Sequence, residues 1–467
     1  MNTSNDIYLT KRNGRIIYFY TLFWSLALLA CVPIACIHSG EGINVFYDFY
    51  LILISPSNLI TDYFNIGGLG STFLNAALCG LACNLIVICS RAKAQARILA
   101  GYFLIIAHCF YGLNLLNMWP TFIGVYVYCK VSRQKFSENV HIAMFSTALA
   151  PFVSEFLFRY TVSEFVFGKP QLSAAGIILA LVFGIASGFA VPALLPGTTK
   201  MHRGFNLYKA GLAIGIFGML VFALMYQTFG IEVPEAVVRD NLIYNENGGD
   251  YALFVNVFFA FMFSASIIIG FLFNEKSFHS CRNLLKSTGH NVDFVENYGA
   301  APSIINVGVV GLFIMLYFNI IFLLPMGLQF TGPTAGVIIA AVTFCASGQT
   351  PRNVWPIGLG YVLLSLIASG IAAICELEFQ WAVATQGYIN SFAFATGLCP
   401  FAGKYGWKMG VAAGMINAAI CTSTSALHGG FVLYNGGLTA GITAIILLSL
   451  LDFYHAKIKH TEKEASL

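Results

Sequence analysis

Charge is what this sequence has least of: Asp, Glu, Lys and Arg together make up 9% of its residues. A soluble domain clothes its surface with about 25% charged residues, so a chain this poor in charge is solvated by lipid. Also missing are a Walker-type phosphate loop, a dinucleotide fingerprint, a nucleophile elbow and any His/Cys group at zinc-ligand spacing. Those absences exclude an ATP-driven pump on one chain and point to no cofactor and no metal. No segment between the apolar runs is long enough for a soluble catalytic domain, so an enzyme is not expected. Alternating segments of about 10 residues, the mark of an outer-membrane barrel, are absent too. The net charge of +4 is modest and sits in loops, which gives no case for nucleic-acid binding.

What the sequence has in abundance is apolar length. Hydrophobic residues make up 58% of the chain, and the mean hydropathy is +0.77. The apolar blocks run about 20 residues, the length that crosses a hydrocarbon core of about 30 Å at 1.5 Å per residue. With no water there to satisfy backbone groups, each block must be a helix. The run Ile16 to Ile37 is too long for a signal-peptide core and lacks a small-residue cleavage site, so it reads as a retained first span. Most of the 12 cysteines, Cys31, Cys79, Cys83, Cys109, Cys345 and Cys421 among them, fall inside apolar runs and read as small hydrophobic packers in a reduced cell.

Lys and Arg collect on the cytoplasmic side of membrane proteins, so the loop charges order the spans. The basic loops are Arg91 to Arg97, Lys130 to Lys135, Lys200 to Arg203, Lys276 to Lys286 and the tail with Lys457, Lys459 and Lys463. In the loop Glu232 to Asp250, five acids (Glu232, Glu235, Asp240, Glu246, Asp250) face Arg239 alone, and Glu376 and Glu378 mark a second acidic turn. Basic loops inside and acidic loops outside predict spans near 14–37, 68–90, 97–117, 118–130, 141–163, 172–195, 204–228, 251–274, 299–323, 330–347, 354–375, 385–402, 408–427 and 430–452. The expected fold is an all-α integral membrane protein of about 14 transmembrane helices, within a range of 12–15, in the cell membrane. Both termini are cytoplasmic on this reading, and Ile43 to Ser55 is re-entrant or interfacial. The parts are a cytoplasmic segment 1–13, a first repeat 14–228, an acidic extracellular loop 229–250, a second repeat 251–452 and a cytoplasmic tail 453–467.

The division into repeats rests on duplication. His202-Arg-Gly-Phe-Asn-Leu-Tyr208-Lys-Ala-Gly-Leu-Ala-Ile-Gly215 aligns with His428-Gly-Gly-Phe-Val-Leu-Tyr434-Asn-Gly-Gly-Leu-Thr-Ala-Gly441, with eight of 14 positions identical. Ahead of it, Thr147-Ala-Leu-Ala-Pro151-Phe152 matches Thr396-Gly-Leu-Cys-Pro400-Phe401, and Asn75-Ala-Ala-Leu-Cys-Gly80-Leu81 echoes Asn306-Val-Gly-Val-Val-Gly311-Leu312. Under the charge-derived topology each pair lies on oppositely directed spans, so two inverted seven-helix repeats are expected, the architecture of many secondary transporters. The chain resembles an uncharacterised family of bacterial multi-span membrane proteins that carries a domain of unknown function in tandem. The duplicated Gly-Phe-x-Leu-Tyr-x-x-Gly-Leu element carries that resemblance, which implies an architecture and no functional residues. By span count alone, the layout is also similar to the nucleobase and anion transporter fold.

Chemistry is sought where polar groups sit at depth. A proline in mid-span frees a carbonyl one turn back, so Pro151 and Pro400 are expected to start half-helices whose amides suit an anionic or polar group. Thr147 and Thr396 could add hydroxyl ligands or merely bond back to their own helices. Asn75 and Asn306 are either inter-helix bonds or solute ligands, and Tyr208 and Tyr434 are either solute ligands or belt residues. His202 and His428, read as opening the duplicated helices, are caps or a pair of gates. Lys209, two turns inside such a helix, snorkels or acts as a counter-charge, and Glu155 is the candidate coupling carboxylate. The duplicated glycines, such as Gly211 and Gly437, let helices approach closely. Together these predict a secondary transporter of a small polar or anionic solute, coupled to H⁺ or Na⁺, embedded in lipid and able to form a homo-oligomer. The alternatives are a passive channel for a small polar solute and a subunit of a membrane enzyme complex.

Overall fold

The structure is a computed structural model that describes residues 4–57, 61–241, 244–245, 251–323, 330–378 and 385–465. Glu246 and Asp250 of the acidic loop lie outside the described residues. Among the described residues there are helices and no strands, and nine helical stretches are long and apolar enough to cross a bilayer. The protein is a multi-span, all-helical membrane protein.

The first half of the chain folds as α1 (Ser4–Ser39), α2 (Val45–Ile54), α3 (Tyr63–Cys89), α4 (Ala96–His108), α5 (Trp119–Val131), α6 (Phe136–Ser146), α7 (Ala150–Phe158), α8 (Ala174–His202) and α9 (Ala210–Phe222). The second follows with α10 (Ala252–Phe273), α11 (His279–Leu284), α12 (Phe294–Tyr298), α13 (Ala300–Leu323), α14 (Gly332–Ala341), α15 (Pro351–Ile374), α16 (Gln386–Ala395), α17 (Cys399–Tyr405), α18 (Trp407–Ala426) and α19 (Asn435–Ala465). Packing repeats with the order: α1 lies along α3 as α10 lies along α13, and α5 along α8 as α15 along α18. Prolines place the helix starts, since Pro120, Pro151, Pro333, Pro351 and Pro400 all occupy first-turn positions where no amide donor is needed.

Two expected spans, 97–117 and 330–347, are shorter as helices than predicted, and 118–130 is as short as predicted. The stretches 97–117 and 118–130 hold helices of 13 residues each, and 330–347 holds one of 10 residues. At 1.5 Å per residue these reach about 15–20 Å, short of the hydrocarbon core. Non-helical turns, 109–118 and 342–350, complete them. Such backbone is tolerated in lipid only when buried in protein, and two asparagines provide the partners. Asn75 Nδ2 donates to the carbonyls of Cys109 (3.0 Å) and Leu113 (2.9 Å). Asn306 Nδ2 donates likewise to Cys345 (2.8 Å) and Gln349 (2.7 Å).

The duplicated His-Gly-Phe motif also folds differently from expectation. His202 closes α8, and His428 lies just past the end of α18, so neither opens a helix. The cause is left-handed backbone: Arg203 and Gly204 have φ of 50° and 81°, and Gly429 and Gly430 have 57° and 80°. Backbone at positive φ ends a helix and satisfies its last carbonyls. The motif is therefore a turn, and Lys209 is the cap residue of α9 rather than a residue two turns inside it.

The molecule has two ends, joined by α1. Near its start, Asn13 receives the amide of Ala300 and reaches the carbonyl of Val295. Just past its end, Glu41 accepts the amides of Gly70 and Ser71, close to where Arg239 pairs with Asp48 at 2.7 Å. Asn13 and Ser39 are separated by about 40 Å along the helix.

Candidate functional site

Both Thr-x-Leu-x-Pro segments break their helices. Thr147–Leu149 and Thr396–Leu398 are single 3₁₀ turns joining α6 to α7 and α16 to α17, fully buried. Each break is covered by the duplicated motif of the opposite half. The amide of Leu433 donates to the carbonyl of Ala148 at 3.0 Å, and the amide of Leu207 donates to the carbonyl of Gly397 at 3.0 Å. Phe152 stacks on Phe431 at 5.2 Å as Phe401 meets Phe205 at 4.6 Å. At the centre, α9 and α19 cross backbone to backbone, because a Cβ on Gly211 would sit 2.4 Å from the carbonyl carbon of Gly437. The halves therefore exchange one contact for the same contact.

The threonines spend their protons locally. Thr147 Oγ1 donates to the Met144 carbonyl at 2.7 Å, and Thr396 Oγ1 donates to that of Ala393 at 2.6 Å. Thr396 also accepts from Gln349 Nε2 at 2.6 Å. Glu155 Oε2 pairs with Arg159 at 2.7 Å and its Oε1 accepts the Tyr226 hydroxyl at 2.7 Å, while Arg159 reaches the carbonyl of Glu235 in the acidic loop. His202 is buried with neither ring nitrogen partnered by protein, whereas His428 Nε2 meets Asn435 Oδ1 at 2.9 Å.

Between the two breaks lies an aromatic cluster. Tyr208 and Tyr434 meet edge to face at 5.6 Å, flanked by Phe344 and Phe394. His108, fully buried at the end of α4, lies 6.3 Å from Tyr434, 6.4 Å from Phe394 and 5.5 Å from Tyr111. Tyr208 donates to the Ala340 carbonyl at 2.6 Å. Both ring nitrogens of His108 and the hydroxyls of Tyr111 and Tyr434 have no partner in the protein. A buried polar group without a partner is costly, and here four such atoms share one cluster.

Two cavities approach this cluster. One, of about 510 Å³, is lined by Arg97, His141, Phe145, Leu207, Lys209 and the segment from Asn291 to Asn297. It lies at the end of the molecule where Asn13 holds Val295. Asp293 caps α12 there, and burial raises its carboxyl above the ordinary range. The other, of about 410 Å³, is lined by Asn390, Phe394, Cys421, Leu433, Asn435 and Ala236 of the acidic loop, toward the opposite end. The linings correspond through the duplicated motifs: His141 with Asn390, Phe145 with Phe394, Leu207 with Leu433 and Lys209 with Asn435. The first cavity is charged and the second neutral.

Of the residues singled out from sequence, Tyr208 and Tyr434 join the cluster and Lys209 lines a cavity. Thr147, Pro151, Thr396 and Pro400 form the breaks that frame them, and Asn75 and Asn306 brace the turns. Glu155 stands apart with Arg159. Sequence reasoning missed His108 and Tyr111, and the available signal was a histidine inside an otherwise apolar run.

No curated protein matches the chain, and no solved structure does either. One family model matches twice, over residues 42–227 and 273–453. The paired breaks, turns and cavities are thus two copies of one domain, and the chain belongs to the family described as "Protein of unknown function (DUF1576)".

Proposed function

We propose that the protein is a secondary transporter of a small polar or anionic solute, driven by H⁺ or Na⁺, in the cell membrane. One observation carries this reading: equivalent cavities enter from opposite ends and stop at a shared aromatic cluster with unpartnered polar atoms. A carrier needs a central site reached alternately from each side. The repeats are inverted on this reading, which is supported because matching linings lie toward opposite ends of the molecule, one beside the segment Asn291 to Asn297 and the other beside Ala236 of the acidic loop. The basic loops put Lys209 and the charged cavity on the cytoplasmic side and the neutral one outside. On this reading the solute reaches the aromatic cluster from either cavity and takes hydrogen bonds from His108, Tyr111 and Tyr434. Volumes of about 410 and 510 Å³ suit a small metabolite.

The test is reconstitution. Thermal-shift screening of purified protein against metabolites selects a solute, and counterflow in proteoliposomes then measures exchange. His108→Phe, which installs the residue found at the matching position Phe344, should weaken binding about 5- to 150-fold without lowering the melting temperature. Unsaturable flux without counterflow would indicate a channel and overturn the carrier reading.

A further inference from the structure

A third cavity, of about 330 Å³, lies away from the solute path at the end of the molecule that carries Asn13 and the Lys276 to Lys286 loop. It is lined by Lys286, Ser287, Arg352, Trp355 and Trp407, and it includes no acidic side chain. Trp355 and Trp407 stack at 6.2 Å with planes 25° apart, yet they are 41% and 51% exposed. Lys408 sits over the Trp407 ring at 5.9 Å. None of Lys286, Arg352 and Lys408 is in an ion pair among the described residues.

We infer that this cavity binds the headgroup of an anionic phospholipid. Exposed tryptophans belong at the level where lipid headgroups meet acyl chains. A pocket between membrane helices with unpaired cations at that level has the chemistry of a lipid phosphate site. Lys286 and Arg352 would hold the phosphate, Ser287 would donate to it, and the indole pair would carry the glycerol and upper chains.

The repeat supplies an internal control. The positions matching Trp355 and Pro356 are Trp119 and Pro120, so the interfacial indole is kept in the first half. The positions matching Arg352 and Lys408 are Leu116 and Val182, which carry no charge. Arg352 and Lys408 therefore have no charged counterpart in the first copy.

Purified wild-type protein in detergent is titrated with brominated phosphatidylglycerol, brominated phosphatidylcholine or inorganic phosphate, following tryptophan quenching and melting temperature. Phosphatidylglycerol should quench and stabilise at concentrations where phosphatidylcholine does neither. Lys286→Gln combined with Arg352→Gln should weaken that response roughly 30-fold, at about one kcal/mol per cation. Trp407→Phe should remove part of the quenching while keeping the stabilisation. Equal responses to both lipids, an unchanged response in the double variant, or full stabilisation by inorganic phosphate alone would each overturn the assignment. Solute binding should be unaffected by the double variant, which separates this site from the central one.

Discussion

At the scale of single residues, the two threonines of the duplicated break have the same sequence role and different surroundings. Thr147 makes one bond back to its own helix, whereas Thr396 also accepts the Gln349 amide, which has few other partners within reach. Thr396→Val should therefore cost about 1–3 kcal/mol by stranding a buried donor, and Thr147→Val distinctly less, as read from denaturation midpoints in detergent. Equal costs would show that the Gln349 bond contributes nothing. Glu155 offers a similar contrast. Its pairing with Arg159, whose side chain is 12% exposed, makes Glu155→Gln leave a largely desolvated cation without its carboxylate. That should cost about 3–5 kcal/mol. Replacing both, as Glu155→Gln with Arg159→Met, should recover much of it. A single variant that melts like wild type but fails to concentrate solute would instead make Glu155 a coupling residue.

Among the elements, what decides success is how close the helices come. A Cβ on Gly188 would fall 2.0 Å from the Thr121 carbonyl oxygen, so α5 and α8 touch through backbone, whereas one on Gly197 of the same helix meets nothing within 4 Å. Gly188→Leu should abolish folded protein in size-exclusion profiles, and Gly197→Ala should stabilise by about 0.5–1 kcal/mol. The helices and their repeat were legible in the sequence because lipid imposes length and composition on every span. The shortness of α4 and α14 was not. Apolar runs such as 97–117 look the same whether they are wound throughout or finish in a turn, since both are buried. Only Asn75 and Asn306, matched in the two halves, hinted that some backbone there needed a side-chain partner. The helix breaks were readable from Pro151 and Pro400, but what covers them was not, because Leu207 and Leu433 act through their amides, which every residue type except proline possesses. His108 was passed over because burial, not spacing, makes it unusual.

For the whole molecule, sidedness is the open quantity that charge predicts. Single cysteines placed by Asn245→Cys and Ser280→Cys, in a background without reactive native thiols, should label from opposite sides, the first from outside. Labelling of both from one side would remove the inversion and with it the carrier reading. A different consequence follows from the exchanged contacts between Leu207 and Gly397 and between Leu433 and Ala148. During synthesis the first copy enters the bilayer with the Ala148 carbonyl already buried, but Leu433 does not exist until nearly all of the second copy has been made. At about 5–20 residues per second the wait lasts tens of seconds. Throughout that interval the first copy lacks the amide that covers its Ala148 carbonyl in the finished fold. A chain stopped before Leu433 should therefore be degraded in membranes faster than the full-length chain, as read by pulse-chase, because the Ala148 carbonyl keeps no amide partner.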